Sequence, residues 1–309
     1  MQYPAPEYIQ FFPTLRCNQN CSFCFNRGIN AVTDSTQEDI KRLAGRVADI
    51  GTTEIDILGG EPILYPHLHQ FIDLSLRNGF TLNISSNGAN IPVLEDITET
   101  FKGKPLNIGI SLNTAPLPDA LHRYISTYRP FVKSIYESSG TIPAPFAPYL
   151  GMQDITYYLL YRDVLSANEL EHSVPFYTFF NRLRELRAMH NNIENVYCAG
   201  FIPDTARHPF LAHVRCPAGT TKLSVLPDGS VYPCYLFFRH KEFRLGNILD
   251  DNFTGIWRNP RLDFFRTFGG NRCPNTGCEL FSACHGGCPA VSLLVSGDLN
   301  APDPRCIKK

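Results

Sequence analysis

Residues 17–24 read Cys17-Asn18-Gln19-Asn20-Cys21-Ser22-Phe23-Cys24, and they follow an apolar, strand-like run from Tyr8 to Leu15. Three cysteines in eight residues, separated by three and then two positions, can turn their sulfurs toward one point. Three thiolates on a cubane [4Fe–4S] cluster leave the fourth iron without a protein ligand. An open iron binds something small, so the spacing points to chemistry more than to structure. A zinc loop is the competing reading. Zinc sites usually pair two sets of closely spaced ligands, and no fourth ligand lies close by in sequence.

This spacing, with Phe23 between the last two cysteines, resembles the radical SAM family. The resemblance implies that Cys17, Cys21 and Cys24 hold a [4Fe–4S] cluster whose open iron chelates S-adenosylmethionine (SAM). It implies further that one-electron reduction cleaves SAM to a 5′-deoxyadenosyl radical, which abstracts hydrogen from a substrate. Phe23 stands where the family places an aromatic ring against the adenine. In such enzymes the cofactor carries the chemistry, and the protein supplies ligation, orientation and a dry site.

Outward from the cysteines the chain alternates. Ser35-Thr36-Gln37-Glu38 reads as a capping box opening a helix to about Ile50, with Ile40, Leu43 and Val47 on one face. Strands are expected over 54–58, 80–85, 107–112, 155–161 and 195–202, with helices over 67–78, 93–101, 119–136 and 169–190 between them. Strand–helix alternation implies a parallel sheet with helical crossovers. With the run at 8–15 there are six strands, too few for a closed eight-fold barrel. The resemblance therefore predicts an α/β fold with a partial (βα)6 TIM-like barrel over residues 1–203. In barrels of this type the loops after the strands carry the site.

Gly59-Gly60-Glu61-Pro62 follows the second strand. Two glycines let backbone approach a ligand closely, and a carboxylate can accept from an ammonium. The resemblance assigns this motif to the amino group of SAM. It brings Ser86 and Asn87, in a Ser-Asn-Gly turn after strand three, and Ser111, at the end of strand four, to the same ligand. It places Arg123 on the SAM carboxylate, where a bidentate guanidinium fits. At the fourth strand Asn113 and Thr114 stand in place of the family's usual Asp-Gly. The Pro- and Gly-rich segment 139–151 is expected to be irregular, either a connector or a loop over the barrel mouth. Tyr157, Tyr158 and Tyr161 are expected to pack the core.

From about residue 204 the alternation stops and cysteines crowd in. Cys216 is followed after twelve residues by Gly229 and four further on by Cys234. Residues 221–234 read as a hairpin turning at Pro227-Asp228-Gly229. Cys273, Cys278, Cys284 and Cys288 are separated by four, five and three residues, and Cys306 closes the set. This region resembles the SPASM extension of radical SAM enzymes, with Cys273-x4-Cys278 in place of the usual x2. The resemblance makes residues 204–309 a small Cys-rich domain with two auxiliary [4Fe–4S] clusters. Cys273, Cys278, Cys284 and Cys306 would hold the second. Cys216, Cys234 and Cys288 would hold the first, either with Cys198 or with an open iron and Cys198 free. Three clusters follow in all. Structural zinc is the competing reading.

The remaining features narrow the function. Net charge is −1 with pI about 6.7 over 309 residues, which gives no basic footprint for nucleic acid. No apolar run is long enough to cross a bilayer, and the N-terminus lacks the pattern of a signal peptide. Eleven cysteines in such a chain suit metal or catalysis in a reducing cytoplasm better than disulfides.

An auxiliary cluster, with a potential tunable over roughly −700 to +450 mV, suits a net oxidation. Tyr235 stands where sulfatase-maturing relatives carry a basic aspartate, which argues against that substrate class. The resemblance points first to oxidative modification of a peptide or protein side chain. With only a few residues before the first strand, the leader-binding domain that many peptide maturases carry there is expected to be absent or encoded separately. The alternative is the same chemistry on a small molecule, such as oxidative decarboxylation of a tetrapyrrole. A non-enzymatic Fe–S or zinc protein would leave Gly59–Pro62 without a purpose. The chemistry implies a flavodoxin or ferredoxin as reductant.

Overall fold

The computed structural model describes residues 4–29, 32–113, 116–136, 142, 144–195, 205–206, 208–267, 269–284 and 286–306. Among these the strands are β1 (Tyr8–Phe11), β2 (Glu54–Ile57), β3 (Thr81–Ser86), β4 (Leu106–Ser111), β5 (Phe131–Tyr136), β6 (Tyr157–Tyr161), β7 (Ile193–Asn195), β8 (Lys222–Val225), β9 (Ser230–Tyr232) and β10 (Gly246–Asn247). The helices are α1 (Gln37–Ile50), α2 (Leu68–Arg77), α3 (Ile91–Thr100), α4 (Asp119–Tyr128), α5 (Phe176–Met189), α6 (Phe253–Trp257), α7 (Asp263–Arg266), α8 (Phe281–Cys284) and α9 (Pro289–Ser296). None of them is long and apolar enough to cross a membrane.

The chain packs as two compact units. The first comprises Met1–Ser111, Leu117–Pro130 and Ala218–Asp263. Its sheet runs β10-β9-β8-β1-β2-β3-β4, parallel from β8 through β4 and antiparallel at β8–β9 and β9–β10. Because β1, β2 and β3 are parallel neighbours, the cysteine loop, the Gly59–Pro62 loop and the Ser86–Gly88 turn all leave the same sheet edge. Helix α1 buries Ile40, Leu43, Ala44 and Val47, a stripe at i, i+3, i+4 and i+7 that matches the helical period.

The second unit comprises Leu112–Pro116, Phe131–Pro217 and Phe264–Lys309. Within it β5, β6 and β7 pair in parallel. Tyr157 and Tyr161 are buried, and Tyr158 is half-buried against Phe131, with ring centroids 5.7 Å apart.

Several expectations need correction. The helix over 119–136 stops at Tyr128, Arg129 turns left-handed at φ 52°, and β5 follows. Pro130 disfavours helix at the preceding residue, and Phe131-Val-Lys-Ser-Ile-Tyr136 alternates in burial as a strand does. The helix over 169–190 is instead a 3-10 turn, Ala167–His172, followed by α5, because Pro175 occupies the N-cap. Among the described residues seven strands rather than six therefore precede residue 204, and the strand expected at 195–202 starts at Ile193, with 196–202 outside the described residues. The capping box lies one residue on: Thr36 caps the Asp39 amide, and Asp39 returns the bond to the Thr36 amide.

Part of the Pro-rich segment, Ala144–Tyr149, also winds into a 3-10 turn where irregular chain was expected. The hairpin read from residues 221–234 is present as β8–β9, with Gly229 at φ +80°.

Candidate functional site

The chain leaving β1 is pinned before it reaches the cysteines. The Thr14 hydroxyl donates to Asp34 at 2.6 Å, and Arg16 donates to the same carboxylate at 2.9 Å and to the Leu64 carbonyl at 3.0 Å. Asn26 closes the far end of the loop by donating to the Leu15 carbonyl at 2.7 Å. Between these anchors, Cys24 N–H donates to the Cys21 carbonyl and Gln19 N–H to the Cys17 sulfur. Cys17 is exposed, and Cys21, Phe23 and Cys24 are half-buried. Burial pushes the Cys21 thiol up, and the charges of Cys24 and Cys17 push it further. Burial likewise raises Cys24, with Cys17 adding to the rise. The three cysteines of this loop, none in a disulfide, form a donor set that suits an iron–sulfur cluster.

The Gly59–Pro62 loop lies against this segment. Gly60 N–H donates to the Thr14 carbonyl and Glu61 N–H to the Arg16 carbonyl. A Cβ on Gly60 would stand 2.2 Å from the Arg16 oxygen, so only glycine permits this approach.

Glu61 is 2% exposed. Its carboxylate accepts from the Asn87 amide at 2.7 Å and the Ile63 amide at 3.2 Å, and from the Ser86 hydroxyl. Burial pushes its carboxyl above the ordinary range, and those donors pull it back. Glu61 thus ties the loop after β2 to the turn after β3. Pro62 starts the short 3-10 turn that Glu61 caps.

Asn87 donates in turn to Asn18 at 2.8 Å and, more distantly, to the Cys17 sulfur at 3.9 Å. Cys17, Gly60, Glu61, Ser86 and Asn87 therefore form one connected patch. Ser111 ends β4 beside β3, and Arg123 is exposed on α4. No hydrogen bond ties either side chain to that patch among the described residues.

The later cysteines divide between the two units. Cys234, in the first unit, is buried at the N-cap of the turn Tyr235–Phe237. The second unit holds the other described ones. Cys306 is pushed up to about 12 by burial and by the charges of Cys284, Asp303, Cys273 and Cys278. Cys284 is raised by burial and by Cys273 and Cys278. Cys288 is driven well up by burial; Arg305 pulls the other way, while Asp303 and Cys216 push further. Cys198 lies outside the described residues.

Among the described residues no three ligand side chains converge tightly enough for a single metal ion. A cubane does not need that, because each of its cysteines binds a different iron. The donor sets fit iron–sulfur clusters.

Sequence reasoning missed Asp34, Asp303 and Arg305. Asp34 acts from seventeen residues beyond Cys17 with no motif around it. Asp303-Pro304-Arg305, directly before Cys306, was a visible signal.

The geometry agrees with comparisons to known proteins. The radical SAM superfamily pattern matches residues 11–137, and an iron–sulfur cluster-binding SPASM pattern matches residues 216–289. The chain is 23% identical to the mycofactocin maturase MftC of Mycobacterium tuberculosis (strain CDC 1551 / Oshkosh), over 98% of this chain and 83% of that protein. It is 24% identical to the PqqA peptide cyclase of Streptomyces rochei, over 98% and 89%. Among solved structures it resembles Streptococcus suis SuiB bound to S-adenosylmethionine, with a TM-score of 0.76 at 18% identity over 98% of this chain and 77% of that one. It also resembles anSMEcpe with bound AdoMet, with a TM-score of 0.70 at 17% identity over 97% and 94%. The α/β fold with its mostly parallel sheet, the cysteine loop and both sequence patterns agree: residues 11–137 form a radical SAM domain and residues 216–289 an iron–sulfur cluster-binding SPASM domain.

Proposed function

We propose that this enzyme oxidatively modifies a side chain of a peptide or protein, using SAM-derived radical chemistry over residues 1–203 and auxiliary clusters over residues 204–309. The observation that carries the reading is the patch joining Cys17, Gly60, Glu61 and Asn87 at the ends of β1, β2 and β3. When bound, a [4Fe–4S] cluster with SAM supplies a hydrogen-abstracting radical, and auxiliary clusters supply an acceptor for the electron a net oxidation leaves behind.

The chain's own residues do the rest. Cys17, Cys21 and Cys24 ligate the first cluster. Gly59 and Gly60 bring backbone carbonyls to the SAM ammonium, while Glu61 fixes Ser86 and Asn87 beside it. Pro62 stiffens that loop. Phe23 faces the adenine, Ser111 the methionine or ribose, and Arg123 the carboxylate. Cys198, Cys216, Cys234 and Cys288 hold one auxiliary cluster, and Cys273, Cys278, Cys284 and Cys306 the other.

The substrate class is supported by relatives named as maturases or peptide cyclases and by a similar fold solved with its precursor peptide SuiA. A flavodoxin or ferredoxin in the cytoplasm is the natural electron donor for this chemistry.

The test is anaerobic reconstitution followed by iron analysis and EPR with and without SAM. About twelve irons per chain, four for each of three cubanes, and one signal that moves with SAM are expected, with fewer irons in Cys198→Ala. The enzyme should then form 5′-deoxyadenosine, and a candidate precursor peptide should lose two hydrogens. Zinc in place of iron, or oxidation of small molecules and not of peptides, would replace this reading.

A further inference from the structure

The second unit contains an ion pair that cysteine ligation alone does not require. Arg305 and Asp303 side chains are both 0% exposed and meet at 2.7 Å. Asp303 Oδ1 also accepts from the Arg305 amide at 2.9 Å and from its Nε at 3.0 Å. Asp303 Oδ2 accepts from the Cys288 amide at 2.9 Å. The Asp303 carbonyl accepts from the Cys306 amide at 3.0 Å. One residue thus holds the backbone of two cysteines.

Arg305 is held from its other side. It donates to the Arg162 carbonyl at 2.8 Å, lies 4.8 Å above the Tyr161 ring, and stands 3.8 Å from the Asp163 carboxylate. Gly287 makes room for the pair, since a Cβ there would fall 2.3 Å from the Asp303 Cβ.

A buried ion pair is poor value as a stabilising device. Desolvation costs several kcal/mol per ion, and packed apolar side chains often serve as well. What such a pair supplies is fixed charge in a dry place, where charge acts strongly. Charge and hydrogen bonds near the ligands set the potential of an iron–sulfur cluster.

We propose that Asp303 and Arg305 form an electrostatic clamp that sets the reduction potential of the auxiliary cluster held by Cys288. Both are positioning residues that act through the Cys288 amide and through their charge. The proposal rests on the reading that Cys288 is a cluster ligand, and iron content of the unaltered chain tests that reading separately.

The experiment is an EPR-monitored redox titration of the anaerobically reconstituted full chain, with Asp303→Asn, Arg305→Gln and Arg305→Lys beside it. Asp303→Asn removes negative charge and should move one auxiliary signal to higher potential. Arg305→Gln should move the same signal lower, and Arg305→Lys should restore it. The SAM-responsive signal should stay in place throughout. A merely structural role predicts no opposed shifts. Shifts of the same sign, or none with iron fully loaded, overturn the clamp. If a buried variant does not load iron, Asp163→Asn decides, because its carboxylate, 24% exposed, lies 3.8 Å from Arg305. A higher potential supports the clamp, and an unmoved one overturns it.

Discussion

The ring of Phe25 meets the ring of Tyr235 edge to face, with centroids 4.9 Å apart and planes at 61°. Phe25 directly follows Cys24, and Tyr235 directly follows Cys234. Phe12 and Phe238 complete the cluster, and Arg239 donates to the Phe25 carbonyl at 3.1 Å. The cysteine loop and the end of the β8–β9 hairpin are therefore packed on one another. Tyr235→Ala should cost about 2–3 kcal/mol, combining lost burial with a ring pair worth about 1 kcal/mol. It should also lower iron loading at the first cluster, while Tyr235→Phe retains the ring and both properties. Thermal unfolding and iron per chain check this; an unchanged melting temperature in Tyr235→Ala would show that the contact does nothing.

Glu61→Gln should loosen the patch without changing its shape. An amide group offers one NH2 where the carboxylate accepts from the Asn87 and Ile63 amides. Leaving a buried donor unpaired costs about 1–3 kcal/mol, and SAM affinity measured by calorimetry should fall with it. The pH dependence has a definite sign. Burial raises the Glu61 carboxyl, so the fold binds that proton more tightly than the unfolded chain. Its contribution to stability is greatest at or below the ordinary carboxylate range and declines as pH rises through the raised value. The stability gap between the unaltered chain and Glu61→Gln should therefore narrow with rising pH in denaturant titrations. A gap that widens would reverse the assignment.

The helix cap gives a cheaper test. Thr36→Ala removes the side chain that accepts from the Asp39 amide at 3.1 Å and should cost ~1 kcal/mol. Ser35, one residue earlier, plays a different part: it is buried, and its hydroxyl donates to the Pro227 carbonyl at 2.7 Å. Ser35→Ala should destabilise the chain through that hairpin contact and leave the cap of α1 intact. Hydrogen exchange in the first turn of α1 separates the two: faster exchange there is expected only in Thr36→Ala.

These contrasts show what the sequence could tell. Cysteine spacing and strand–helix alternation are local, so the family and most elements were legible. Ser35 and Thr36 both fit a capping pattern, and only the distant Pro227 decides between them. Pro130 was a readable signal that the helix from Asp119 ends before β5. The pairing of β8 with β1 joins Tyr8 to Lys222, and no spacing along the chain encodes such a partner. The same holds for Asp34 on Arg16, whereas Asp303 and Arg305 lay in plain view beside Cys306 and lacked only a reason to be chosen.

Two glycines make opposite predictions from one substitution. Gly60 has the Arg16 and Leu15 carbonyl oxygens 2.2 and 2.5 Å from where a Cβ would stand. Those are backbone atoms, held by the bonds from Gly60 to Thr14 and from Glu61 to Arg16. Gly60→Ala must break that ladder, at a cost on the order of 2–4 kcal/mol, and SAM binding should go with it. Gly45 lies inside α1 with nothing within 4 Å of an added methyl. There alanine only lowers the entropy of the unfolded chain and improves helix propensity, so Gly45→Ala should stabilise by about 0.5–1 kcal/mol and leave SAM binding alone. Melting temperatures that move in opposite directions are expected. If Gly60→Ala were as stable as its parent and still bound SAM, the close approach of these two loops would play no part in the site.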